Sequence, residues 1–290
     1  MKKVRKAVLP VAGLGTRVLP IAKSAPKNLL NVVDRPILSY IVAEARAAGI
    51  EHICFITGRG QEAIEHYFDR QPEIEDLLKA RGKTALLEEL LAEAGRPGEM
   101  SFVRQGEPHG LGHAVWCARE VIGDEPFAVI LPDMLMDATP GTLSQAIAAY
   151  DKVGGNIVVV EPCPDGQAHK YGIVALGERD GRLAPMTGMV EKPAPGTEPS
   201  NLFISGRYIL QPEIFEALSA HEKGAGGEIQ LTDAMARLMK SQKFHALEYD
   251  GVTYDCGDKV GLLRANVAFA LKRPDLAAAA REAIEALLRA

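Results

Sequence analysis

The segment Ala7-Val-Leu-Pro-Val-Ala-Gly-Leu-Gly-Thr-Arg-Val-Leu-Pro20 constrains this chain more than any other. Ala7 to Val11 is apolar on both faces, so it reads as a strand buried within a sheet. It runs straight into Gly13 and Gly15, which let the backbone turn sharply and bring its N–H groups up to a ligand. Arg17 follows at once, and Lys23 and Lys27 come soon after. Peptide N–H donors beside fixed cations suit a polyphosphate, which presents several anionic oxygens in a small volume. The loop therefore reads as a nucleotide site.

The kind of nucleotide loop can be narrowed. A Walker loop needs G-x-x-x-x-G-K-[ST], and Gly13 to Gly15 does not supply it. A dinucleotide fingerprint fits better at first, because Asp34 lies about 20 residues on, where a ribose-binding carboxylate is expected. Yet Val18 replaces the third glycine, and Pro20 and Pro26 stand where the phosphate-capping helix should run. Asp34 itself precedes Pro36 and a periodic segment, so it reads as a helix cap. The loop is long, basic and stiffened by proline, which opposes an NAD-dependent enzyme.

Composition sets the outer bounds. With 290 residues and 47% hydrophobic content, the chain can bury a full core as one large α/β domain or two small ones. A net charge of −5 opposes nucleic-acid binding, so the cations of the loop are a local feature. Cys54, Cys117, Cys163 and Cys256 are far apart and form no C-x-x-C pair, which points to free thiols in a reducing cytoplasm. The basic start, Met-Lys-Lys-Val-Arg-Lys, is followed by no apolar leader segment, and no apolar run approaches the ~20 residues of a membrane span.

Strand-like runs alternate with helical patterns through the first half. Residues 53–57, 102–104 and 127–131 read as strands, and 37–48, 61–68 and 113–121 as helices, an alternation that implies parallel βαβ units. Residues 72–95 are polar and helical, with a break near Gly82. The second half is more β-rich, with strands expected at 157–161, 172–176, 186–191 and 202–210, and helices at 213–218, 229–240 and 260–271. We read residues 1–273 as one domain, nucleotide-binding in its first half and acceptor-binding in its second. Residues 274–290 form a helix-favouring tail, in which Ile284, Leu287 and Leu288 make one apolar stripe.

Four further motifs carry chemistry. Asp133, in Leu131-Pro-Asp133, sits at a strand end, where it can hold Mg²⁺ or simply terminate a turn. Gln105 opens the loop Gln105-Gly-Glu-Pro-His-Gly-Leu-Gly-His113. It carries both donor and acceptor for a planar base, and Gly110 lets backbone reach the same plane. His109 and His113 have metal-ligand spacing, but Gly110 and Gly112 interrupt the helix that spacing needs, and no third ligand is apparent. Glu191 and Lys192 close a strand before Pro193; they can form a solvated pair, or bind sugar hydroxyls and a phosphate. Asp255, in Tyr254-Asp-Cys-Gly257, is a second strand-end carboxylate. Two such acids with a basic phosphate loop suggest metal-assisted phosphoryl or nucleotidyl transfer.

Together these stretches resemble the bacterial UTP–glucose-1-phosphate uridylyltransferases, within the sugar-phosphate nucleotidyltransferases. PVAGLGTRVLP, PK at 26–27, VVDRP, RQGEPHGLGHAV, LPD, YG at 171–172, VEKP, GRYIL, GEIQLTDA and YDCGDK run in family order from Val8 to Lys259. The resemblance implies a Rossmann-like α/β fold with a mixed, mainly parallel central sheet flanked by helices. It implies that Ala12, Gly13, Gln105 and Gly110 hold uracil, with Gly15 in the same nucleotide loop, and that Arg17 and Lys27 hold the triphosphate. It assigns Asp133 and Asp255 to Mg²⁺, and Gly172, Glu191 and Lys192 to glucose 1-phosphate. Arg17, Lys27 and Lys192 are then the catalytic cations. The implied reaction joins UTP and glucose 1-phosphate into UDP-glucose and pyrophosphate, in a homodimer or homotetramer. The chain departs from the pattern at Asn28, where the family usually has Glu, and at Asn31, where proline is common.

The nearest rivals are a transferase using dTTP or another sugar 1-phosphate, and a nucleotide-sugar sensor without activity. Retention of Arg17, Lys27, Asp133 and Lys192 together opposes the sensor.

Overall fold

A strand without a polar face must be covered on both sides, and Ala7, Val8 and Leu9 are indeed fully buried in an interior strand of a nine-stranded sheet. The computed structural model describes residues 1–289; the final residue of the tail, Ala290, lies outside the described residues. The sheet strands are β1 (Lys6–Pro10), β2 (His52–Thr57), β3 (Met100–Arg104), β4 (Phe127–Ile130), β5 (Asn156–Pro162), β6 (Gly172–Leu176), β7 (Leu183–Glu191), β8 (Leu202–Leu210) and β9 (Phe244–Glu248). Their order is β3-β2-β1-β4-β8-β5-β9-β7-β6.

The first four strands are parallel, in the doubly wound order 3-2-1-4. That order reverses between β1 and β4, so the loops leaving their carboxyl ends splay apart and open a crevice. In the second half, β8 runs antiparallel to both β4 and β5, and β7 antiparallel to both β9 and β6. Only β5 and β9 pair in parallel there. The sheet is mixed as expected, but parallel pairing belongs mainly to the first half, because hairpin-length connections replace helical crossovers in the second.

Alternation along the central strands divides the core in two. Ala7, Leu9, Ile53, Phe55, Ala128 and Ile130 face the helices Ile37–Ala47 and Thr142–Val153. Val8, Cys54, Ile56, Phe127 and Val129 face the helices Leu111–Cys117, Ile214–Ser219 and Leu231–Leu238. Residues 72–95 form two helices, Pro72–Ala80 and Thr84–Glu93, and the expected break at Gly82 has a positive φ of 61°. Among the described residues no helix is long and apolar enough to cross a membrane.

Three local expectations change. Asp34 does not cap the helix at 37–47. It lies in a two-residue turn between Asn31–Val32 and Arg35–Pro36, and its carboxylate takes the guanidinium of Arg273 at 2.5 Å. The helix expected over 113–121 starts two residues earlier and breaks at Ala118 into Leu111–Cys117 and Arg119–Ile122. Strands at Phe244–Glu248, Met134–Asp137 and Val252–Asp255 were not anticipated, since runs of four or five residues with charged ends carry little periodicity.

Phe55 is fully buried and stacks on Phe102 at 5.0 Å, with Phe68 at 5.3 Å on another side. Phe55→Ala should cost about 3–5 kcal/mol in denaturant unfolding. Leu86→Ala, at a position 53% exposed, should stay within about 0.5 kcal/mol.

Candidate active site

The loop after β1 winds through short 3₁₀ turns, Thr16–Val18, Ile21–Lys23 and Lys27–Leu29, rather than a phosphate-capping helix. No backbone carbonyl among the described residues accepts from the N–H groups of Ala12 through Arg17, so six consecutive donors remain for a ligand. Gly15 holds a left-handed φ of 66°, and a Cβ there would lie 3.0 Å from Cβ of Lys27 and 3.1 Å from Cβ of Ala22. Glycine thus lets the loop fold down over Lys27.

Lys27 reaches the other wall of the crevice. Its Nζ lies 2.6 Å from Oδ2 of Asp133, just beyond β4, and Arg17 Nη2 lies 3.5 Å from the same oxygen. Arg17 Nη1 is 3.0 Å from Oδ2 of Asp255. The two acids are brought together by the ribbon pairing Met134–Asp137 with Val252–Asp255, in which Asp255 stands opposite Met134. The Cys256 N–H donating to the Asp133 carbonyl at 2.8 Å extends that pairing. Burial disfavours the Asp133 charge, but Lys27 and Arg17 outweigh it and hold the carboxyl below its ordinary range. Arg17 is also partly desolvated, yet Asp255 keeps its guanidinium firmly protonated.

A guanidinium lying between two carboxylates shows that the pair accommodates positive charge there. Asp133 and Asp255 together suit a hard divalent cation, which takes one or two carboxylates and completes its shell with water and phosphate. Among the described residues no group of three or more metal-ligating side chains occurs, so phosphate oxygens would have to finish such a site. His109 and His113 are neighbours, with ring centroids 5.1 Å apart, but His109 precedes the helix, and among the described residues they are part of no group of three that could hold a metal.

Ala12, Gly13, Gly15, Arg17, Lys27, Gln105, Gly110 and Asp133 line one cavity of about 680 Å³. Eight sequence-predicted residues from four separate segments therefore share a single space. Asp255 lines an adjoining cavity of about 260 Å³ with Tyr171. Gly172, Glu191 and Lys192 lie outside both linings and form their own cluster. A Cβ on Gly172 would come within 3.0 Å of Oε2 of Glu191 and 3.1 Å of Oγ1 of Thr232. Glu191 is largely buried, which raises its pKa, opposed by a 2.7 Å hydrogen bond from the Thr232 hydroxyl and by Lys192. The Lys192 N–H donates to the Tyr171 carbonyl at 2.9 Å, and a positive φ of 49° turns the chain as it leaves β7. Its ammonium is 3.8 Å from Glu191.

Sequence reasoning missed two supporting residues. Thr232, in the GEIQLTDA stretch, holds the Glu191 carboxylate. Arg207, fully buried, donates to the carbonyls of Leu131 at 3.1 Å and Met134 at 2.9 Å, on either side of Asp133, and pairs with Glu44 at 2.7 Å. A buried arginine within an apolar strand was the available signal. Asn28, at the departure from the family pattern, is buried; its Nδ2 donates to the Val11 carbonyl at 3.4 Å and its Oδ1 has no protein partner.

Comparison with known proteins agrees with this geometry. The family model described as nucleotidyl transferase matches residues 6–271. The chain is 48% identical over 277 residues to a UTP–glucose-1-phosphate uridylyltransferase of Bacillus subtilis, covering 95% of this chain and 94% of that one. A UTP-bound UGPase from Acinetobacter baumannii superposes with a TM-score of 0.89 at 42% identity, over 97% of this chain and 98% of that one. A UDP-glucose pyrophosphorylase complexed with UDP-glucose gives 0.83 at 38% identity, over 93% and 100%. Family model, relatives and crevice agree, and the chain belongs to the nucleotidyltransferases, in the branch of the UTP–glucose-1-phosphate uridylyltransferases.

Proposed function

We propose that this chain joins UTP and glucose 1-phosphate into UDP-glucose, releasing pyrophosphate. The observation that carries the reading is the single cavity that gathers the free N–H groups of the glycine loop, Arg17, Lys27, Gln105 and Asp133. Similar solved structures include a UTP-bound UGPase and a UDP-glucose pyrophosphorylase complexed with UDP-glucose.

In this reading an oxygen of the sugar phosphate attacks the α-phosphorus of UTP. A new P–O bond forms as the bond to the β-phosphate oxygen breaks, and the electron pair leaves with pyrophosphate. The nucleophile is already an anion, so no Ser, Cys or His needs activation. The difficulty is electrostatic, because two like-charged reactants must meet. Arg17 and Lys27 leave their carboxylate partners for the triphosphate, while Gln105 and Gly110 face the uracil. Lys192 takes the phosphate of the acceptor, and Gly172 and Glu191 take its hydroxyls. Asp133 and Asp255 would hold a divalent cation, read as Mg²⁺, which when bound neutralises phosphate charge. Nucleotide and acceptor are thus held by separate clusters of one domain, residues 1–273. Free thiols at all four cysteines support a reducing cytoplasm as its compartment.

Pyrophosphate release tests the reading directly. UTP with glucose 1-phosphate should react, and a requirement for a different sugar phosphate or nucleotide would overturn it. Asp133→Asn should retain UTP binding but lose at least about 100-fold in kcat, because a neutral amide is a poor ligand for a hard cation. Full activity of that variant in excess Mg²⁺ would make Asp133 a structural residue. Lys192→Ala should raise KM for glucose 1-phosphate by about 10- to 100-fold and leave KM for UTP within about threefold. Lys192→Arg should recover only part of this, since a planar fork does not replace a compact ammonium.

The tail, residues 274–290, serves self-association in this reading. Its helix Ala277–Arg289 rests on the helix Lys259–Lys272, yet Leu287 and Leu288 are 77% and 82% exposed in the single chain. A short helix with an uncovered apolar stripe is marginal alone, which favours cover from a second subunit in a homodimer or homotetramer. Deleting residues 274–290 should lower the mass in light scattering while UTP still binds. An unchanged mass would remove the tail from assembly without touching the catalytic reading.

A further inference from the structure

Beside Gln105, three histidines and a tryptophan form one aromatic group. The His113 ring lies 5.1 Å from His109, 5.5 Å from His221 and 6.1 Å from Trp116, and the Arg119 guanidinium covers Trp116 at 3.8 Å. Packed on these sides, the imidazole has one defined orientation, with Nδ1 3.0 Å from Nε2 of Gln105. The same Nε2 donates to the Gly110 carbonyl at 3.2 Å. A carbonyl can only accept, so this contact favours the nitrogen of the Gln105 amide at this end. The second amide proton then points at His113 Nδ1, which must offer a lone pair and leave its own proton on Nε2. Burial, followed by the nearness of His109 and His221, keeps His113 below the usual imidazole range and hence neutral.

Both amide protons of Gln105 are thus committed to protein. Its Oε1 has no protein donor among the described residues, and Gln105 lines the cavity assigned to the nucleotide. The Gly110 N–H, at the start of the helix, likewise donates to no backbone carbonyl among them. The crevice presents an acceptor from Gln105 and a donor from Gly110. Uracil offers the complement, an N3–H beside a carbonyl. Cytosine offers the reverse, a bare N3 beside an amino group.

We propose that His113 is a positioning residue for base selection, which together with the Gly110 carbonyl holds the Gln105 amide so that Oε1 faces the base as an acceptor and cytosine is rejected. The inference rests on the uridylyl reading and deepens it, giving the source of its preference within the pyrimidines. Thymine has the same imide edge as uracil, so the device does not separate UTP from dTTP.

Calorimetric Kd values for UTP, CTP and dTTP, measured on the full chain, test it. His113→Phe keeps the ring and removes the acceptor; the ratio of Kd for CTP to Kd for UTP should fall about tenfold, the scale of one hydrogen bond. His113→Asn places an oxygen where Nδ1 stood and should restore the ratio. The dTTP-to-UTP ratio should stay unchanged throughout. Equal weakening of UTP and CTP in His113→Phe, or no recovery in His113→Asn, would reduce His113 to a packing residue and overturn the proposal. A wild-type chain that binds CTP as tightly as UTP would overturn it as well. One that does not bind UTP would instead overturn the functional reading beneath it.

Discussion

The crevice depends on one buried ion pair. Arg207 has no exposed surface, and all its donors are engaged: Nε and Nη2 on Glu44, Nη1 on the carbonyls of Leu131 and Gly206, and Nη2 also on that of Met134. Glu44, on the helix Ile37–Ala47, also accepts the Leu143 N–H at the start of the helix Thr142–Val153. A single guanidinium therefore joins two helices, strand β8 and the turn that carries Asp133. Such a pair adds little net stability over an apolar replacement, yet breaking one side leaves an uncompensated charge inside the core. Its value here is geometric. The carbonyls of Leu131 and Met134, flanking Asp133, are both tied down, so the carboxylate is held at the strand end while Arg207 leaves it to Lys27 and Arg17.

The cations of the crevice are balanced by carboxylates of the same chain. Arg17 and Lys27 are parked on Asp133 and Asp255, which neutralise them in a desolvated space. In the proposed reaction, polyphosphate would exchange these partners: the cations would move to phosphate, and the freed carboxylates would take a new positive charge. The two acids and two cations thus form a matched set whose partners can be traded as a group. The cluster of Gly172, Glu191 and Lys192 is built differently. It relies on close approach at Gly172 and on a carboxylate held by Thr232.

Much of this was legible in residue order. The apolar strand before Gly13 and Gly15, the helix over 37–47 ending before Gly49, and the helical excursion around Gly82 all have local causes, namely periodicity and positive φ. Errors arose where local signals pointed two ways. Asp34 before Pro36 has the look of a helix cap, but an ion pair with Arg273 at the far end of the chain claims its carboxylate. The strand Phe244–Glu248 carries no clear alternation and becomes a strand because β5 and β7 lie on either side to pair with it.

Sequence by itself determined the chemical inventory: a glycine loop with Arg17 and Lys27, the amide of Gln105, two strand-end carboxylates and the Glu191–Lys192 pair. It did so because each residue sits in a local frame of strand end, turn or loop that short-range rules describe. Tertiary structure alone decided which of these groups meet. Arg17 and Asp255 are 238 residues apart, and Arg207 and Glu44 are 163 apart. Their encounters follow from strand order and from the ribbon register that sets Asp255 opposite Met134. Only then do the charges come close enough in a desolvated crevice for their signs to matter, since Coulomb interactions strengthen as water is excluded.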